Sequence, residues 1–246
     1  MIRSLLKRLR ALLLPLLLTV AAYATAEETP LPATVFKNLQ SGKKQTVVIY
    51  GTSLSINGAW AKAVQEYFDK EFPGQVTFTN AAKAGMHSNW GVENLQKRVL
   101  DRHPDLVFIE FSANDAATKH NISREKSEAN LDQMVQALRK QNPEINLILQ
   151  TMNPAWDSPS NPAKKYGTDR PELESYYDVY RSYAQKNHLP LADHYPNWAK
   201  IKKDDPQRYE KNVADGIHPQ SEPSLAVTWP TIRDLLEKAR TEAKKK

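Results

Sequence analysis

The chain has 246 residues, 40% of them hydrophobic and 25% charged, with a formal net charge of +6 and no cysteine. The absence of cysteine excludes disulfides, thiolate zinc sites and a cysteine nucleophile together, and the length suits one sizeable α/β domain held together by its core alone. The positive balance does not point to nucleic acid: residues 1–26 carry Arg3, Lys7, Arg8 and Arg10 and no acid, so without them +6 falls to +2, and the Lys244-Lys245-Lys246 tail reads as a solvated end.

The first 26 residues have the make-up of a secretory signal peptide: a basic start through Arg10, an apolar run from Ala11 to Ala22, and a small-x-small exit at Ala24-Thr25-Ala26. Cleavage is expected before Glu27, with the mature protein periplasmic or secreted. The run is short and turns abruptly polar, so no stable membrane insertion is expected after signal removal; an uncleaved anchor is the competing reading. Residues 27–44, polar and containing Pro30 and Pro32, read as an N-terminal lead-in to a domain spanning 45–246.

Val47-Val48-Ile49-Tyr50 has the length and branching of a buried strand, and Gly51 is expected to supply the backbone angles of a sharp exit. From Gly58 to Phe72, Trp60, Ala61, Val64, Tyr67 and Phe68 recur at helical spacing until Pro73-Gly74. Val76 to Thr79 alternates like a strand and leads through Asn80-Ala81-Ala82-Lys83-Ala84-Gly85 to a helix over Gly91–Arg102. Leu106 to Phe111 is the next strand, leaving through Ser112-Ala113-Asn114-Asp115, and Ser123 caps a helix that runs to about Lys140. Strand four is Ile145–Leu149. Residues Asn153 to Arg170 are rich in Pro, Ser and Asn and lack periodicity, as functional lids and disordered loops do. A helix over Pro171–Asn187, a short strand over Leu189–Asp193, a polar and partly helical stretch from Tyr195 to Val213, and a helix from Ser221 to Arg240 kinked near Pro230 complete the chain.

Alternating strands and helices imply a parallel sheet covered on both faces, and right-handed crossovers put every strand's carboxyl end on one edge. Ser53, Gly85, Asn114 and the Asp215-Gly216-Ile217-His218-Pro219 turn each follow a strand, so four distant segments are expected to meet at one rim. A serine hydroxyl there needs a base to act as a nucleophile; His218 suits that task, with Asp215 holding its ring. An oxyanion formed on attack needs donors, which the backbone amides of Ser53 and Gly85 and the Asn114 side chain can supply. Each segment taken singly also reads as an ordinary turn or cap.

Gly51-Thr52-Ser53-Leu54, the Asn80 to Gly85 segment, Ala113-Asn114-Asp115 and Asp215-Gly216-Ile217-His218-Pro219 together resemble the ordered blocks of the SGNH hydrolases, also called GDSL esterases and lipases. The resemblance implies a three-layer α/β/α sandwich on a central parallel sheet of about five strands and serine-dependent ester hydrolysis without metal or other cofactor. It assigns Ser53 as nucleophile and oxyanion amide, Gly85 and Asn114 as further oxyanion donors, His218 as base and Asp215 as its orienter. Two positions depart from the pattern: Thr52 stands where the family usually has Asp, and Ser112 where it usually has Gly. Trp90 and Trp156, in or beside the loops flanking these blocks, are candidate platforms for a sugar ring, with packing as the alternative for each.

The expected partner is a small-molecule or glycan ester, acetyl in type, with no nucleic acid. A non-catalytic glycan-binding protein and an O-acyltransferase on the same fold are the alternatives. A metal-dependent hydrolase is disfavoured because His87, His103, His120, His188 and His194 are scattered. A dinucleotide enzyme is disfavoured too, since Gly51 does not open a glycine fingerprint.

Overall fold

A computed structural model describes residues 30–245. The expected signal peptide at 1–26 lies outside the described residues. The strands are β1 Gln45–Gly51, β2 Val76–Asn80, β3 Leu106–Glu110, β4 Asn146–Gln150 and β5 Leu191–Ala192, joined in one parallel sheet of order β2-β1-β3-β4-β5. The longer helices are α1 Ala33–Gln40, α2 Ala59–Glu71, α3 Ser88–Arg98, α4 Arg124–Gln141, α5 Leu173–Lys186, α6 Tyr195–Asp204, α7 Pro206–Asn212 and α8 Trp229–Glu242. No helix among the described residues is long and apolar enough to cross a membrane.

Alternate strand residues serve opposite faces, which is why the central strands are apolar runs rather than alternating ones. Val47, Ile49, Leu106, Phe108 and Ile148 join one core, which α1, α2 and α8 cover with Phe36, Trp60, Phe68 and Ile232. Val48, Tyr50, Val107, Ile109, Leu147 and Leu149 join the other, covered from α3 and α4 by Leu95, Leu131, Met134 and Val135. The result is the expected three-layer sandwich.

The lead-in contributes more than its polar composition suggests. Residues 33–40 form α1, which buries Val35, Phe36 and Leu39, and the Phe36 ring stacks on Phe68 at 5.8 Å. A remote side chain caps the helix: Val35 N–H donates to Asn146 Oδ1 at 2.7 Å. Tertiary capping also explains why α3 starts at Ser88 rather than Gly91, because Ser88 N–H donates to Asp115 Oδ1 at 2.7 Å. The kink near Pro230 is a π-helical turn over Ser224–Thr228. Pro230, which has no N–H to donate, follows that turn at the start of α8.

From β1 the chain passes to β2 on one side and then crosses to β3 on the other, so the order reverses between β1 and β3. In open parallel sheets the crevice beyond that reversal is where ligands bind. Ser53 and Asn114 follow the two strands that flank it.

Candidate active site

Ser53 opens a single helical turn, Ser53–Ile56, whose N-cap is Thr52. Thr52 Oγ1 accepts from Leu54 N–H at 3.1 Å and donates to Glu110 Oε2 at 2.8 Å. Trp60 pins the same turn from below, its indole N–H donating to the Leu54 carbonyl at 2.9 Å. The need for glycine at position 51 differs from the expected one. Gly51 is absent from the glycines with positive φ; a Cβ there would instead lie 2.6 Å from both the Glu110 carbonyl oxygen and Ser55 Oγ. Close approach of β1 to β3, not an unusual turn, excludes a side chain.

The catalytic candidates converge. His218 Nε2 lies 2.7 Å from Ser53 Oγ, and His218 Nδ1 lies 2.6 Å from Asp215 Oδ2. Asp215 Oδ1 accepts from the backbone N–H groups of Ile217 at 3.0 Å and His218 at 2.8 Å. Partial burial alone would raise the Asp215 carboxyl, but the Ile217 amide and the His218 ring and amide outweigh it and hold the group below the ordinary carboxylate range. An ionised carboxylate only accepts, so Nδ1 carries the imidazole proton and Nε2 of the neutral ring faces the serine hydroxyl as an acceptor.

The oxyanion donors lie on adjoining loops. Gly85 has φ +76° and nothing within 4 Å of where a Cβ would sit, leaving its amide open to approach. Among the described residues neither the Ser53 nor the Gly85 backbone N–H takes part in a hydrogen bond. Asn114 Nδ2 donates to the Met86 carbonyl at 2.8 Å, and Asn114 Oδ1 accepts from Arg170 Nη2 at 3.0 Å.

Glu110, Asp115 and Arg170 were not among the expected site residues. Glu110, fully buried at the end of β3, sits beside Gly51 in register. Its Oε2 accepts from Thr52 N–H at 3.1 Å, Thr52 Oγ1 at 2.8 Å and Ser55 Oγ at 3.1 Å, while Oε1 has no partner. A carboxyl group from the neighbouring strand thus stands against the nucleophile turn, in which Thr52 itself has none. Burial pushes it up to about 7 in spite of those bonds. Its sequence signal is an acid inside an apolar strand. Asp115 ties the Gly85 loop to the Asn114 turn, accepting from Ser88 N–H and, at 2.6 Å, from Ser127 Oγ.

Residues 153–170 are neither a free lid nor a slack loop. Asn153 Nδ2 donates to the Ile217 carbonyl at 2.8 Å, Trp156 N–H to the Gly216 carbonyl at 2.9 Å, Trp156 Nε1 to the Val213 carbonyl at 2.8 Å and Ser160 Oγ to the Ala214 carbonyl at 2.6 Å. Ser158 Oγ donates to that same Ala214 oxygen. The segment braces the turn that carries Asp215 and His218. Trp156 is engaged in this brace and packs against Trp198, Tyr209 and Val213. Trp90 packs between Tyr50 and Phe111, with the Arg98 guanidinium 5.0 Å from its ring centre. Both indoles expected at the substrate rim thus have packing partners within the protein, and each keeps part of its surface exposed. Trp60 is buried in the core. Of the other histidines, His87 and His120 face each other with ring centres 4.6 Å apart, but among the described residues no group of three or more His, Cys, Asp or Glu side chains is arranged to hold a metal ion.

The profile of the GDSL-like lipase/acylhydrolase family matches residues 48–222, taking in all four blocks. The chain belongs to the GDSL-like lipase/acylhydrolase family. Comparison with curated protein sequences finds no match. Solved structures with a similar fold include a two-domain esterase active on acetylated mannans, 21% identical with a TM-score of 0.65. That match covers 89% of this chain and 58% of the esterase, so the chain spans well under two thirds of its length. A lipase/acylhydrolase from Enterococcus faecalis is 21% identical over 79% of this chain and 96% of its own, with a TM-score of 0.63. A catalytic mutant of an acetylxylan esterase from Geobacillus stearothermophilus is 14% identical over 79% and 94% of the two chains, with a TM-score of 0.63. At these identities the likeness is one of fold.

Proposed function

We propose that this GDSL-like acylhydrolase is an exported serine esterase that removes small acyl groups, acetyl in type, from carbohydrate or similar alcohols. The observation that carries the reading is the chain of contacts from Ser53 Oγ through the His218 ring to Asp215, with distances of 2.7 and 2.6 Å. His218 Nε2 takes the Ser53 proton as Oγ attacks the ester carbonyl, and Asp215 stabilises the imidazolium that forms. The Ser53 and Gly85 amides and one Asn114 N–H receive the developing oxyanion. The imidazolium returns its proton to the leaving alcohol. Water, activated by the same ring, then attacks the acyl-enzyme and releases the acid.

The carbohydrate alcohol is suggested by the acetylated mannan and acetylxylan named for the two esterases of similar fold. Export rests on the basic, apolar and small-x-small order of residues 1–26. The test is hydrolysis of a chromogenic acetate ester by the protein and by Ser53→Ala, followed by acetate release from acetylated mannan and xylan. Hydrolysis is expected from the first and a loss of at least about a thousandfold from the second. Activity that survives the substitution and disappears with a chelator would sink the serine mechanism. Glycan binding without any ester hydrolysis would point instead to a recognition protein.

A further inference from the structure

One buried charge at this site forms no ion pair. Arg170, the last residue of the bracing segment, is 5% exposed. It belongs to none of the ion pairs found among the described residues. Nε donates to the Ala113 carbonyl at 2.7 Å, Nη2 to Asn114 Oδ1 at 3.0 Å and Nη1 to the Tyr166 carbonyl at 3.4 Å, all neutral acceptors. The guanidinium lies 5.2 Å from the Tyr166 ring centre, and Asp169 and Glu110 reach it only through space. Burying a cation without a carboxylate partner is costly, and neutral side chains can hydrogen-bond carbonyls without that cost.

We infer that Arg170 is the positioning residue of the oxyanion site: it fixes the Asn114 amide through Oδ1 and lends it positive charge, and the charge left unpaired is met by the oxyanion of the tetrahedral intermediate. The inference rests on the esterase reading above. Arginine only donates and the Met86 carbonyl only accepts, so the Asn114 amide has one possible orientation, Oδ1 toward Arg170 and Nδ2 toward Met86. One Nδ2 hydrogen serves Met86 at 2.8 Å and the other is left for substrate. A charge-assisted bond to Oδ1 draws electron density from the amide and strengthens Nδ2 as a donor. The attraction grows as negative charge develops on the substrate oxygen, so it favours the transition state over the bound ester. The Tyr166 ring that lies over Arg170 also meets the His218 ring edge-on at 6.1 Å, so one segment steadies the base and the oxyanion donor together.

The test compares steady-state hydrolysis of a chromogenic acetate ester by wild type, Arg170→Met, Arg170→Lys, Asn114→Ala and the double variant Asn114→Ala/Arg170→Met, each checked for a cooperative thermal transition. Arg170→Met is expected to lower kcat about a hundredfold, the scale of losing one oxyanion donor, with KM changed less than about threefold. In the Asn114→Ala background the same substitution is expected to cost less than about threefold more, because Arg170 acts through that amide. Guanidinium at tens of millimolar is expected to restore part of the activity of Arg170→Ala. Equal losses in both backgrounds, or an unchanged kcat, would overturn the inference. If Arg170→Met does not fold, Arg170→Lys carries the comparison: it keeps the charge without the fork and is expected to lose about tenfold in kcat, again only when Asn114 is present. A ¹⁵N–¹H spectrum separates this inference from the esterase reading. If wild type cleaves no ester, the esterase reading fails, but the Asn114 side-chain NH₂ pair, identified by its absence in Asn114→Ala, still decides whether Arg170 holds the amide. That pair is expected to shift or broaden in Arg170→Lys; an unmoved pair overturns the inference.

Discussion

Asp215 and Glu110 stand at the same sheet edge, and their environments drive them in opposite directions. Asp215 is held ionised by two backbone amides and the His218 ring, whereas Glu110 is buried and pushed up to about 7. The first group is suited to fix a tautomer and the second to stiffen a turn. Asp215→Asn replaces an obligate acceptor with a group that can also present N–H to the ring, so the wrong tautomer becomes accessible. It is expected to lower kcat about ten-thousandfold with little change in KM on an acetate ester, and a loss under tenfold would show that His218 is oriented by something else. Ser53, Gly85, Asn114, Asp215 and His218 were legible in the sequence because each follows a strand and belongs to a residue type with a defined chemical task. Glu110 and Arg170 were not, since a charge in a sequence reads as facing water and its burial is decided by distant segments.

The same division holds among elements. The central strands declared themselves by β-branched runs because both their faces are covered. Helix α1 did not: it has three buried side chains after two prolines, and its first turn is capped by Asn146 from β4. Phe36→Ala is expected to cost about 3–5 kcal/mol in chemical denaturation, the scale for a phenylalanine lost from a packed core. A cost near zero would show α1 to be an appendage. The 153–170 segment bonds largely to backbone carbonyls of residues 213–217, and backbone partners leave no trace in composition. Gly216 sits where the two meet, at φ +105° and with a Cβ position 2.5 Å from the Trp156 carbonyl oxygen. Gly216→Ala must therefore displace the Asp215–His218 turn, and a shift of about 1 Å is expected to lower kcat about a hundredfold. The melting temperature should fall by only a few degrees, as expected for about 1–2 kcal/mol of strain.

For the molecule as a whole, two buried groups give the stability opposite dependences on pH. His194 is fully buried, with Nε2 3.3 Å from Gln150 Oε1 and Nδ1 unpartnered, and burial lowers its pKa from 6.5 to about 3. Between those values the unfolded chain binds the extra proton, so stability rises with pH; His120 adds to the same trend. Glu110 acts the other way. Its folded pKa of about 7 exceeds the 4.5 of the unfolded chain, so the folded state binds the extra proton and stability falls as pH rises across that window. Each group contributes a slope of about 1.4 kcal/mol per pH unit, so the two largely cancel where their windows overlap. Relative to wild type, Glu110→Gln is expected to make stability rise more steeply from pH 5 to 6.5, and His194→Gln to make it rise less steeply, both read from denaturation midpoints. Parallel curves for all three proteins would contradict this assignment.

The hydrogen bonds between residues 153–170 and the 213–218 turn also limit how this enzyme can diversify. A surface loop of this length would ordinarily be the easiest part to exchange when lineages adapt to new foods. Here it doubles as the footing of the base, so the two stretches are bound to travel through evolution as a pair, and novelty in what is bound must come from other borders of the crevice.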